Sequence, residues 1–235
     1  MIPKKVHLSW FDKNILTSNF DLINLGVKRL KNLNSNWQFI VNTDEEILDY
    51  LNEHMKKDYQ LIEKFHIVPK TDIWRLYKLF YEGGIYVDLD RLADVNLDNI
   101  IPDNVKQVLP TYRNYDFSHD IMISEPGNIL FANTIDMYLF RRKQGFENVY
   151  FLGPQTYMHS VTYTFLKNVV DTNPGESIFE SIVNYLKTIS GLLIYKENPP
   201  YDTFIYRGKE NIEDHETMKR RFYKENGLKH WTGDW

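Results

Sequence analysis

Thr71-Asp72-Ile73-Trp74-Arg75-Leu76-Tyr77-Lys78-Leu79-Phe80-Tyr81-Glu82-Gly83-Gly84-Ile85-Tyr86-Val87-Asp88-Leu89-Asp90 reads as a helix, a double-glycine stop and a short strand that ends on two carboxylates. Ile73, Leu76, Tyr77, Leu79 and Phe80 crowd the helical part, which suits a buried helix. Gly83-Gly84 terminates it. Ile85-Tyr86-Val87 is a β-branched and aromatic run, and it delivers Asp88-Leu89-Asp90 at its carboxyl end. In open α/β sheets, ligands bind beyond that end of the strands.

Upstream, Val6, Leu8 and Trp10 alternate with polar neighbours as a half-buried first strand. Leu22, Ile23, Val27, Leu30 and Leu33 recur at helical spacing, and Trp37 to Val41 is a second strand. Thr43-Asp44-Glu45-Glu46 is a capping-box signature that opens a helix carrying Ile47, Leu48, Leu51 and Met55. Downstream, strands are expected near Gln107–Leu109 and Ile121–Ser124. Helices are expected after Asn133, after Pro154, across Ser177–Ile189, and from Ile212 towards Gly227. This alternation predicts a single α/β domain over residues 1–235, with a mostly parallel central sheet flanked by helices.

Asp88 and Asp90 are separated by one residue, so in extended geometry both carboxylates lie on one side of the strand. Two such groups repel unless one is protonated or both share a cation. Hard oxygen ligands suit Mg²⁺ or Mn²⁺. Taken alone, Asp-x-Asp is also an ordinary acidic turn. Asp72 and Arg75 lie three apart on one helix face. They precede Asp88 and Asp90 by 16 and 15 residues. If the helix packs back along the strand, its early residues return to the strand's carboxyl end, where Arg can hold phosphate or sugar oxygens and Asp can accept from hydroxyls. A local surface ion pair is the alternative reading of Asp72 and Arg75.

The chain of 235 residues is 43% hydrophobic and 15% aromatic, enough for a sizeable core. Its net charge of -4 argues against a nucleic-acid partner held by phosphate neutralisation. Cysteine is absent, which excludes thiolate metal sites and thiol nucleophiles. No apolar run approaches the roughly 18 residues of a membrane span, and Met1 to His7 lacks the core of a signal peptide. A cytoplasmic enzyme without a transmembrane segment is the expectation.

Lys70 to Asp90 resembles the DXD region of family-32-type glycosyltransferases, a group that includes capsular polysaccharide enzymes and initiating mannosyltransferases and is related to the clostridial glucosylating toxins. Ile2 to Phe11 is similar to that family's first strand, Ser118 to Gly127 to its central segment, and Gly153-Pro154 to its later Gly-Pro. His230-Trp231-Thr232-Gly233-Asp234-Trp235 is similar to its closing motif. Val87 departs from a frequent second Tyr, and Asp234 from a Ser.

The resemblance implies a GT-A fold, a nucleotide-sugar donor (UDP- or GDP-linked), a hydroxyl acceptor on a glycan, a retaining hexosyl transfer in polysaccharide or glycan synthesis, and Mn²⁺ or Mg²⁺ as cofactor. It assigns Asp88, Asp90 and His230 to the metal. Asp72 and Arg75 fall to the donor sugar, His7, Leu8 and Trp10 to the nucleotide pocket, and Trp231 and Trp235 to a closing lid. Asp120, beside His119, is a candidate acceptor base or sugar contact, although an Asp there also suits a turn. His54, His66, His159 and His215 have no such motif. The rival readings are a degenerate, sugar-binding transferase and a Mg²⁺-dependent phosphatase of the haloacid-dehalogenase type. The latter places its Asp-x-Asp on the first strand, with a small hydroxyl or branched residue where this chain has Leu92.

Overall fold

The computed structural model describes residues 1–17, 21–89, 96–112, 116–117, 119–165, 178–196, 223–225 and 227. The strands are β1 (Lys5–Ser9), β2 (Gln38–Asn42), β3 (Gly84–Val87), β4 (Gln107–Tyr112), β5 (Asp116–Phe117), β6 (Ile121–Ser124) and β7 (Leu192–Lys196). The helices are α1 (Asp21–Leu33), α2 (Asp44–Met55), α3 (Ile67–Glu82), α4 (Leu97–Ile100), α5 (Ile129–Lys143), α6 (Val149–Leu152), α7 (Pro154–Phe165) and α8 (Ile178–Leu186). Among the described residues, seven strands join one sheet in the order β2-β1-β3-β6-β4-β5, with β7 also paired to β4.

The expected α/β domain is thus present, and its sheet is mixed. β1 runs parallel to β2 and β3, and β4 parallel to β7. β6 enters antiparallel between β3 and β4, and β5 pairs antiparallel with β4. The parallel pairs are the ones joined through helices; the antiparallel ones follow from the short β4–β5–β6 connections.

Strand alternation sorts the side chains onto two apolar layers. Val6, Leu8, Ile85, Val87, Val108, Ile121 and Ile123 face the layer that includes Val27, Leu30 and Trp37. Tyr86, Leu109 and Met122 face the opposite layer, built with Ile73, Trp74, Leu130 and Tyr157 from α3, α5 and α7. Asp88, two residues beyond Tyr86, is therefore delivered to the α3 side.

The hairpin between α3 and β3 depends on both glycines. Gly83 has φ +64 and Gly84 φ +97, a region that L side chains rarely adopt. A Cβ on Gly83 would lie 2.7 Å from Pro126, and one on Gly84 would lie 2.6 Å from the Lys5 carbonyl oxygen. β3 can accordingly lie close against its neighbours only with this pair at its entry.

Two helix starts differ from the sequence expectation. α3 begins at Ile67, one turn before Thr71, because Pro69 is tolerated in a first turn whose amides have no helical acceptor. α5 begins at Ile129, capped by the Asn128 side chain on the Leu130 amide at 2.9 Å.

Candidate functional site

Arg75 is the hub of the site. Its side chain is 4% exposed, and it forms an ion pair with Asp72 one turn earlier on α3. Its Nη1 donates to Asp88 Oδ1 at 3.2 Å. The guanidinium carbon lies 4.9 Å from the centre of the Tyr86 ring, a cation–π approach that fixes the plane of the fork. The Tyr86 hydroxyl also donates to Asp88 Oδ1. Burial first, and then the negative charge of Asp88, push the Tyr86 phenol well above its ordinary range, so it remains a donor. Ser9, at the end of β1, lies near the Tyr86 hydroxyl and opposes that rise slightly.

The Asp88 side chain is 33% exposed, while that of Asp72 is 9% exposed. One carboxylate is thus set deep beside the arginine and the other faces outward. The single guanidinium cannot neutralise both, which leaves surplus negative charge at an exposed oxygen-rich edge. This donor set fits a hard divalent cation. Asp90, the second expected carboxylate ligand, and His230 lie outside the described residues, as do Trp231 and Trp235. Among the described residues, no three metal-ligating side chains converge.

Two further segments close on the same point. The Asp88 amide donates to the Asp120 carbonyl at 2.8 Å, which sets Asp120 one peptide from the Asp88 backbone. The neighbouring His119 Nε2 is 3.9 Å from Asp72 Oδ1. Burial, reinforced by Arg75, holds the His119 imidazole well below its ordinary value, so it is neutral at physiological pH. At the start of α7, Gly153 presses against Asp72. A Cβ there would lie 2.6 Å from Asp72 Oδ2.

The first-strand residues divide. Trp10 is half-buried just past the carboxyl end of β1, against Phe11 with ring centroids 4.7 Å apart. His7 and Leu8, expected to line a nucleotide pocket, are not brought to the site by their side chains, because both are fully buried. Leu8 faces the apolar layer with Val6 and Val87. His7 Nε2 donates to the Gly83 carbonyl at 3.0 Å, and burial lowers its pKa to about 4. The alternation that sends Tyr86 and Asp88 to the α3 face sends Leu8 to the other one. Ser9, Tyr86 and Gly153 were not picked as site residues from the sequence. Tyr86 was readable in principle, since it shares a strand face with Asp88.

Residues 21–106, which contain Asp88-Leu89-Asp90, match the family model described as glycosyltransferase sugar-binding region containing DXD motif. The inositol phosphoceramide mannosyltransferase 1 of Schizosaccharomyces pombe (strain 972 / ATCC 24843) is 30% identical over 129 residues, which is 53% of this chain. The match spans 39% of that relative's length. Among solved structures, the PaToxG glycosyltransferase is similar with a TM-score of 0.52 and 19% identity, over 70% of each chain, a likeness of fold. Residues 21–106, with the Asp72–Arg75–Asp88 arrangement at the carboxyl end of β3, are thus similar to a DXD-containing sugar-binding region, and the α/β fold is similar to that of a glycosyltransferase.

Proposed function

We propose that the protein transfers a hexose from a nucleotide-diphosphate sugar to a hydroxyl acceptor, with a divalent cation held by Asp88 and Asp90 and completed by His230. The observation that carries this reading is the Arg75 fork, which ties a buried Asp72 to an outward Asp88 at the ligand-binding end of the sheet. A lone acidic turn needs no buried arginine.

A cation bound there would supply charge neutralisation for the departing diphosphate. The chain's own residues supply position. Arg75 and Asp72 offer a donor and an acceptor to the hydroxyls of the sugar, and Tyr86 holds the Asp88 carboxylate in one orientation. Neutral His119 keeps the Asp72 environment polar without adding a competing charge. In the transfer, the bond from the anomeric carbon to the diphosphate oxygen breaks and a bond to the acceptor oxygen forms. Asp120, beside the Asp88 backbone, receives the acceptor's proton.

By its name, the fission-yeast relative acts on an inositol phosphoceramide and transfers mannose. A mannosyl donor therefore belongs in the donor panel, and a lipid-borne headgroup hydroxyl among the acceptors, beside polysaccharide. The cytoplasm is the proposed setting, and cell fractionation tests it. The phosphatase reading is disfavoured because the acidic pair follows the third strand, β3.

Calorimetric titration with UDP- and GDP-sugars, with and without Mn²⁺, is the decisive experiment. Binding of one nucleotide sugar that requires the cation, and its loss in Asp90→Ala with the fold intact, is the expected result. Full transfer activity in Asp90→Ala would sink the assignment. Cation-independent sugar binding without transfer would favour the degenerate reading instead.

A further inference from the structure

Four large aromatic side chains stand in solvent at one corner of the molecule. Phe140, on the last turn of α5, is 61% exposed; Phe146 is 48%, Tyr150 44% and Phe151 44% exposed. The chain gathers them there. Arg141 donates to the Phe151 carbonyl at 2.6 Å, and Arg142 donates to that of Phe146. The Tyr150 and Phe151 rings meet edge to face with centroids 6.3 Å apart. Scattered exposed apolar residues are ordinary, whereas a cluster of aromatic rings on one corner marks a surface with a use.

The charge around this corner is basic, although the chain as a whole carries -4. The helical turn Lys56–Leu61 packs against α5, and Arg142 Nε anchors it through the Leu61 carbonyl at 2.9 Å. Lys56, Lys57, Lys64 and Lys143, on or next to these two segments, are exposed, and Arg141 and Arg142 hold the carbonyls of Phe151 and Phe146. The acidic side chains here are Asp58, Glu63, Asp136 and Glu147, and Lys143 already pairs with Asp58 at 3.3 Å. Residues 56–64 and 136–147 together carry six cations against four anions, an excess opposite in sign to that of the whole chain.

We propose that this α5–α6 corner docks on an anionic phospholipid bilayer, with Phe140, Phe146 and Phe151 in the headgroup region. Aromatic rings partition favourably into that zone, and nearby Lys residues are drawn to anionic lipid. A sugar-stacking platform fits less well. Phe has no polar tip to meet hydroxyls, and the two arginines are committed to carbonyls. The same segment continues into Gly153, which touches Asp72, so docking would hold the donor site beside the membrane. The surface rests on exposure and charge, and it stands apart from the transfer chemistry.

Flotation of the purified 235-residue chain with phosphatidylcholine vesicles, with or without phosphatidylserine, tests this. The chain is expected to float with the serine-containing vesicles and to be released by salt. Phe146→Ser combined with Phe151→Ser should lower partitioning about tenfold or more. Lys64→Ala, a solvent-exposed change that spares the fold, should lower it about fivefold. An unchanged thermal midpoint checks the aromatic variant. Failure of the wild-type chain to float with either vesicle overturns the proposal. So does flotation that is indifferent to lipid charge and to all three substitutions. Perturbation of these rings by soluble oligosaccharide, without vesicle binding, also overturns it.

Discussion

Arg75 Nη1 stands 3.2 Å from Asp88 Oδ1 across thirteen residues of sequence, because the Gly83-Gly84 turn folds the early part of α3 back onto the end of β3. The same guanidinium pairs with Asp72, so one cation organises two carboxylates of unequal exposure. Arg75→Ala leaves Asp72 buried beside an empty space. It should cost about 3 kcal/mol in denaturant unfolding, the usual scale for breaking a buried pair. Arg75→Lys keeps the charge but loses the fork, and should fold while losing transfer at least about tenfold in kcat/KM. Wild-type kinetics in Arg75→Lys would show that the fork has no role in the site.

Tyr86→Phe removes the hydroxyl that orients Asp88. The stability change should be about 1 kcal/mol, the net value of such a bond. The functional change should be larger, and it should appear in the cation concentration needed for half-maximal activity. Equal cation dependence in variant and wild type would separate Tyr86 from the proposed cation site.

Gly153→Ala isolates contact from backbone strain. Gly153 has φ -85, which alanine accepts, but its Cβ would fall 2.6 Å from Asp72 Oδ2 and 3.1 Å from Asp72 Cγ. Relief requires Asp72 to move away from Arg75. The expected outcome is a raised donor KM and a stability loss of about 2 kcal/mol from overpacking. An unaltered KM would mean that Asp72 does not meet the donor.

His7 gives the protein a pH-dependent stability. Its ordinary value is 6.5, and burial lowers it to about 4 in the fold, so between these values the unfolded chain binds the proton and the folded chain does not. Stability therefore rises with pH through this window and is lost as pH falls from 6.5 to about 4, where the loss levels off. The total is on the order of 3 kcal/mol. Urea unfolding at stepped pH should show the slope, and His7→Gln, which can still donate to the Gly83 carbonyl, should flatten it.

Much of the local structure was legible because its causes are local. Thr43 and Glu46 announce a capping box, and the structure contains it, with the Thr43 amide on Glu46 Oε2 at 2.9 Å. The helix, glycine and strand sequence around Gly83 foretold the hairpin. β7 was not foreseen, because Leu192–Lys196 becomes a strand by pairing with β4 along five residues far away in the chain. β5 is two residues long and exists only as the partner of Thr111 and Tyr112.

By itself, the sequence set Asp72 with Arg75 and Asp88 with Asp90, through helical and strand periods, before any packing is known. The sugar and cation roles of these residues came from the family resemblance. Only the tertiary structure decided who meets whom. It put Arg75 between two carboxylates, set Tyr86 and Ser9 behind Asp88, pressed Gly153 on Asp72, and turned His7 and Leu8 inward. Those outcomes depend on which sheet face each strand gives to α3 and on how closely β1, β3 and α7 approach. Such choices are fixed by packing across the whole chain and leave no mark in any short run of residues.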